Sequence, residues 1–116
     1  MEIWHNPRCS KSRQALKLLE DAGAEPEVRR YLEDPPTAAE IDAALSALGL
    51  EPWEIARTGE ARAKELGLKD IERDRDAWIE LLVANPILIE RPIVIADDGR
   101  AVVGRPLEAV SKLLSG

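Results

Sequence analysis

Glu2-Ile3-Trp4-His5-Asn6-Pro7-Arg8-Cys9-Ser10-Lys11-Ser12-Arg13 is the stretch on which the reading of the chain turns. Glu2 to His5 alternates as a short strand does, with Ile3 and His5 on one face and Trp4 on the other. Asn6-Pro7 breaks the strand. A helix is predicted from about Ser10 to Ala22, its apolar stripe being Ala15, Leu16, Leu18, Leu19 and Ala22, with Gly23 closing it. Cys9, the one cysteine, thus falls where a strand hands over to a helix N-terminus, and the helix dipole and unpaired N–H groups there favour a thiolate. His5, the one histidine, lies four residues before it. No acidic residue occurs between Glu2 and Glu20, whereas Arg8, Lys11, Arg13 and Lys17 are cationic, a local reversal of sign in a chain of net charge -6.

Outward from this stretch, Glu27 to Leu32 reads as a second strand, which makes strand, helix and strand a right-handed unit with parallel strands. Asp34-Pro35-Pro36 stops it. Thr37 to Glu40 matches a capping box, followed by Ala38, Ile41, Ala44, Leu45 and Leu48 at helical spacing and a stop at Gly49. From Glu51 to Lys69 the pattern is helical but interrupted by Pro52, Gly59 and Gly67, and Asp74 is placed to cap a helix carrying Ala77, Trp78, Leu81 and Leu82. Asn85-Pro86 ends that helix. The last third is strand-like, with Ile87-Leu88-Ile89 and Ile93-Val94-Ile95 flanking Glu90-Arg91-Pro92. Asp98-Gly99 predicts a type I′ hairpin returning through Ala101-Val102-Val103, and Pro106 opens a final helix with Leu107, Val110 and Leu114 on one face. The order is strand–helix–strand, a helical block over roughly 37–84, then strand–strand–helix, read as one domain over 1–116.

Composition narrows the function classes. With 116 residues, 45% hydrophobic and 33% charged, the chain is a folded domain with one core, built without Phe mainly from Leu, Ile, Val and Ala. No apolar run approaches membrane-spanning length, and the first residues lack the basic-then-apolar form of a signal peptide. A lone cysteine suits a reducing compartment, so a cytoplasmic location and no membrane partner are expected. The acidic balance argues against nucleic-acid binding but not against an anionic small molecule held by a few arginines.

The chemistry open to Cys9 is limited by what surrounds it. A thioredoxin-like dithiol cycle is excluded, because the third residue after Cys9 is Ser12. A phosphatase cradle needs an arginine where Ala15 stands. His5 shares a loop with Cys9, and if protonated it would lower the thiol pKa by charge proximity; packing at the strand end is the alternative reading. Arg57 before Thr58-Gly59, Arg91 before Pro92 and Arg105 between Gly104 and Pro106 stand at breaks in structure, and guanidinium groups suit bidentate binding of an oxyanion. The sequence carries no metal-ligand pattern.

His5-Asn6-Pro7-x-Cys9-x-x-Ser12-Arg13, Tyr31-Leu32-Glu33-x-Pro35-Pro36 and Asn85-Pro86-Ile87-Leu88-Ile89-x-Arg91-Pro92-Ile93-Val94 together resemble the glutaredoxin-linked arsenate reductase family, whose fold Spx-type regulators share. The resemblance implies an α/β, thioredoxin-like mixed four-stranded sheet flanked by helices, with an inserted helical subdomain. It implies Cys9 as the nucleophile toward arsenate, His5 as the group lowering its pKa, and Ser12 as a hydroxyl bonded to the thiolate. It implies Arg57, Arg91 and Arg105 as oxyanion ligands and a cis peptide at Pro92. Glutathione is then a co-substrate, glutaredoxin the partner that clears the mixed disulfide, and no bound cofactor is called for. Two alternatives stay open. One is a general glutathione-dependent thiol reductase of the same fold. The other is a Spx-like RNA polymerase-binding regulator, against which Ser12 counts because it removes the second thiol.

Overall fold

The computed structural model describes residues 1–115. Its strands are β1 (Glu2–Trp4), β2 (Glu27–Arg29), β3 (Ile93–Ile95) and β4 (Ala101–Val103), and its helices are α1 (Ser10–Asp21), α2 (Ala38–Leu48), α3 (Ala61–Leu66), α4 (Arg75–Ala84) and α5 (Glu108–Ser115). Short 3-10 turns occur at Pro52–Glu54, Leu68–Asp70 and Pro86–Leu88. The residues group into two compact units, one made of Met1–Asp34 with the segment from Arg91 onward, the other of Pro35–Glu90.

In the first unit four strands form one sheet in the order β2-β1-β3-β4. β1 pairs in parallel with β2 and antiparallel with β3, and β3 pairs antiparallel with β4. The architecture is therefore the mixed four-stranded α/β sheet expected from the sequence. Its core is Ile3, Ala15, Leu19, Val94, Ala96, Val110 and Leu113, contributed by the sheet, α1 and α5. Ile3, Ala15, Leu19, Val94 and Val110 have no exposed surface. Ala15 and Leu19 lie one turn apart on α1, which is why that stripe faces the sheet. The helix ends as its glycine predicts. Gly23 has φ +76°, and Gly23 N–H and Ala24 N–H close onto Glu20 O and Leu19 O at 3.0 Å each, a Schellman pair.

The second unit packs α2 against α4. Thr37 Oγ1 accepts from Glu40 N–H at 3.2 Å and Glu40 Oε1 accepts from Thr37 N–H at 2.9 Å, which is the predicted capping box. Ile41, Leu45, Leu82, Leu88 and Ile89 are fully buried there. The unit reaches past the helical block drawn over 37–84. Ala56 and Ile89 form a β-bridge, and Glu90 N–H donates to Ile55 O at 2.7 Å.

Four local expectations are corrected. The second strand stops at Arg29 instead of Leu32, because Glu33 and Asp34 N–H turn back onto Arg30 O at 2.9 and 2.8 Å. Ile87 and Leu88 belong to a 3-10 turn and not to a strand, since Pro86 removes a ladder donor. The hairpin is not type I′: of its turn residues only Gly99 has positive φ, at 90°, and Gly99 N–H bonds Ala96 O at 3.0 Å while Ala96 N–H bonds Arg100 O at 2.7 Å. That is the three-residue loop form, which asks for one left-handed residue instead of two. The last helix begins at Glu108, not Pro106, and it is Leu113 rather than Leu114 that it buries beside Val110.

Candidate active site

Sheet topology assembles the site. β1 runs toward His5 and Cys9, and its last residue, Trp4, is the register partner of Ile93, the first residue of β3. Ile93 also pairs with Val103, the last residue of β4. The segments Arg91-Pro92, entering β3, and Gly104-Arg105, leaving β4, are thereby brought to the end of the sheet where β1 gives way to Cys9. Gly104 N–H donates to Pro92 O at 2.8 Å and joins the two segments. A Cβ on Gly104 would lie 2.7 Å from Pro92 Cγ, so no larger residue fits this approach without displacement. The Arg91–Pro92 and Arg105–Pro106 peptides are both cis.

Cys9 is the N-cap residue of α1, with extended backbone at φ -97° and ψ 121°. The turn that delivers it is tied by Cys9 N–H to Asn6 O at 3.0 Å and Arg8 N–H to Asn6 Oδ1 at 3.0 Å. Burial pushes the Cys9 thiol up, but hydrogen bonds from Ser12 N–H, the Arg91 side chain and Lys11 N–H, together with the Arg91 charge, outweigh it and hold the thiol below its ordinary pKa. Arg105 Nη2 stands 3.3 Å from Cys9 Sγ, and Arg105 Nε donates to Arg91 O at 2.7 Å. Burial works against the Arg91 charge, and contacts with Cys9 and Tyr31 more than offset it, so Arg91 stays cationic. Two guanidinium groups from the far end of the chain thus meet one sulfur.

The Ser12 hydroxyl is engaged with His5 and Asn6. Ser12 falls on the core face of α1, one turn before Ala15, and is fully buried. Its hydroxyl therefore needs partners, and it has them in His5 Nδ1 at 2.6 Å and Asn6 N–H at 3.0 Å. The Ser12 group that stabilises the thiolate is its backbone N–H, not the hydroxyl. Desolvation lowers the His5 pKa, and the charges of Arg30 and Arg13 lower it further against the opposing pull of Glu20. The lowered pKa favours the neutral imidazole, which shares a hydrogen bond with the Ser12 hydroxyl through Nδ1.

Arg57 belongs to the second unit. Its Nε and Nη1 are each 3.0 Å from a carboxylate oxygen, of Glu60 and Glu90 respectively, and its N–H donates to Leu88 O at 2.7 Å. Two residues matter that sequence reasoning did not place in the site. Asn6 folds the turn, and Tyr31, fully buried, contacts Arg91. Both stand inside the quoted motif blocks, next to residues with more obvious chemistry. Among the described residues no group of three or more His, Cys, Asp and Glu side chains is placed to hold a metal ion, and no helix is long and apolar enough to cross a membrane.

The arrangement can attack an electrophilic centre bearing anionic oxygens, with arginines waiting for the charge. The model of the ArsC family matches residues 4–113. The chain belongs to the ArsC family. Within curated ArsC relatives, an arsenate reductase of Neisseria meningitidis is 45% identical over 98% of this chain and 97% of its own. A protein of Streptomyces viridochromogenes known only by its place in the glnII region is 59% identical over 99% of both chains. Among solved ArsC structures, the arsenate reductase from Vibrio cholerae superposes with a TM-score of 0.90 at 44% identity, covering 96% of this chain and 94% of that one.

Proposed function

We propose that the protein reduces arsenate to arsenite in a reaction driven by glutathione and glutaredoxin. The observation that carries the proposal is the pair of cations at the single thiol, Arg105 Nη2 at 3.3 Å and Arg91 in hydrogen bond with the same sulfur. The Cys9 thiolate attacks As(V), a sulfur–arsenic bond forms, and a protonated arsenate oxygen leaves as water. Arg91 and Arg105 bind the remaining oxygens, where they act on charge that develops in the transition state. A glutathione thiol then replaces a second oxygen as water. A glutaredoxin thiolate attacks the glutathione sulfur, the glutathione–arsenic bond breaks with its electron pair left on arsenic, and As(III) results. Glutaredoxin carries away the mixed disulfide, and hydrolysis of the Cys9–arsenic bond releases arsenite. Every thiol after the first comes from outside, in keeping with the single cysteine of the chain.

The test is arsenite formation from arsenate, glutathione and glutaredoxin. Wild type should turn over, Cys9→Ser should be inactive, and Arg105→Ala should lose about 10²-fold in kcat/KM, the cost of one oxyanion donor. Arsenite no higher than the Cys9→Ser background rejects the proposal. A general thiol reductase would instead keep its activity on mixed disulfides in Arg91→Ala.

A further inference from the structure

A cavity of about 240 Å³ lies against the turn that delivers Cys9, and no step above uses it. One wall is the His5–Arg8 turn, and the other is Arg30, Leu32 and Glu33. The second wall is held in place by the Glu33 and Asp34 N–H bonds to Arg30 O, and by His5 N–H donating to Arg29 O at 2.7 Å. Arg8, Arg30 and Glu33 are exposed, and none of the three makes an ion pair among the described residues. Leu32 adds an apolar surface, 39% exposed.

A single cavity lined by two arginines and one glutamate matches a zwitterion better than a simple anion, which Glu33 would repel. An α-amino-acid head carries its carboxylate and its ammonium on one carbon. We propose that this cavity receives the γ-glutamyl head of glutathione, with Arg30 and Arg8 on its α-carboxylate and Glu33 on its ammonium. The volume is below that of a pocket enclosing a drug-sized ligand and suits one residue of the tripeptide. The cysteinyl sulfur then extends along the turn toward Cys9. The inference rests on glutathione being the thiol co-substrate, but its test needs no arsenate.

The measurement is the rate at which Cys9 becomes glutathionylated, followed by intact mass. The Cys9 thiolate attacks one sulfur of glutathione disulfide, the disulfide bond breaks, a Cys9–glutathione disulfide forms, and glutathione thiolate leaves. Bis(2-hydroxyethyl) disulfide, which lacks the head, reports on the thiol alone, and N-acetylglutathione disulfide lacks only the ammonium. Acetylation should slow wild type by about tenfold and leave Glu33→Gln unaffected, as expected for one charge-assisted contact. Arg30→Ala should slow both glutathione disulfides by about tenfold relative to the hydroxyethyl reagent. Equal sensitivity to acetylation in wild type and Glu33→Gln, or an Arg30→Ala effect that is the same for all three reagents, overturns the subsite. Failure of arsenate turnover with these selectivities intact would reject the arsenate reading and leave the subsite standing.

Discussion

Cys9 owes its reactivity to neighbours of two kinds. The Lys11 and Ser12 N–H groups come with being the N-cap of α1, and the arginines come from the segments that enter β3 and leave β4. Its alkylation rate should therefore inflect below the ordinary thiol value of about 8.5, and Arg91→Ala should move the inflection upward because a bond to the thiolate and a nearby charge are both lost. Rates with iodoacetamide across pH check this, and an unmoved inflection would remove Arg91 from the set. His5 makes a second prediction. Its pKa is lowered in the folded protein, so between the folded and unfolded values the unfolded chain binds more protons. Stability then rises with pH up to about 6.5 and is lost as pH falls through the folded value. His5→Asn lacks this titration, so the stability gap between wild type and variant should narrow as the pH falls. Urea denaturation of both proteins at several pH values measures the gap, and a constant gap would contradict a neutral His5.

At the scale of elements, the contact that matters most to the site is that of the β3 entrance with the β4 exit. Gly104 has no positive φ, so its requirement for glycine is steric: an added Cβ meets Pro92 Cγ at 2.7 Å and Val110 Cγ2 at 3.2 Å. Gly104→Ala should cost about 1–3 kcal/mol, the usual range for overpacking a tight site. Because Gly104 and Pro92 adjoin Arg105 and Arg91, the same variant should also lower thiolate stabilisation at Cys9. Thermal melting with an alkylation profile on one sample tests both effects, and a normal melt with a shifted profile would separate them. The capping box at Thr37 and the Schellman close at Gly23 are by contrast self-contained, each satisfied by residues within a few positions.

For the molecule as a whole, one side chain gauges how much the sheet-and-helix core holds. Leu19 is fully buried among Ile3, Val94 and Val110, in the cluster that joins α1 and α5 to the sheet. Leu19→Ala should destabilise by about 2–5 kcal/mol, which corresponds to a drop of about 10 °C or more in Tm. Calorimetry gives the figure, and a drop of only a degree or two would mean that the core repacks around the gap. Charge acts at this scale too. The chain carries a net charge of -6, while Arg8, Lys11 and Arg13 beside Cys9 in sequence and Arg91 and Arg105 beside it in space are cationic, so an anion is favoured at the thiol.

The sequence by itself determined what a few neighbouring residues can settle. Helical spacing placed α1 and its buried Ala15 and Leu19, though Ala22 of the expected stripe is exposed; the Thr37–Glu40 pattern placed the start of α2, and the break at Asn6-Pro7 placed Cys9 at a helix N-terminus. These depend on interactions within about one turn of chain, so their signal is written locally. At 30–32 and 87–88 the strand pattern misled, because tight local bonds, from Glu33 and Asp34 N–H onto Arg30 O and from Leu88 N–H onto Asn85 O, turned the backbone instead. The roles of Ser12 and His5 were likewise hidden: which group of Ser12 faces the sulfur follows from the burial of its hydroxyl beside the imidazole. Most of all, tertiary structure decided that Arg91 and Arg105 meet Cys9. More than eighty residues of chain separate them from it, and only the β2-β1-β3-β4 order, chosen by burying Ile3 and Val94 side by side, brings those strand ends together. A lone thiol at a helix end is legible in the sequence, and its meeting with two arginines is a property of the sheet.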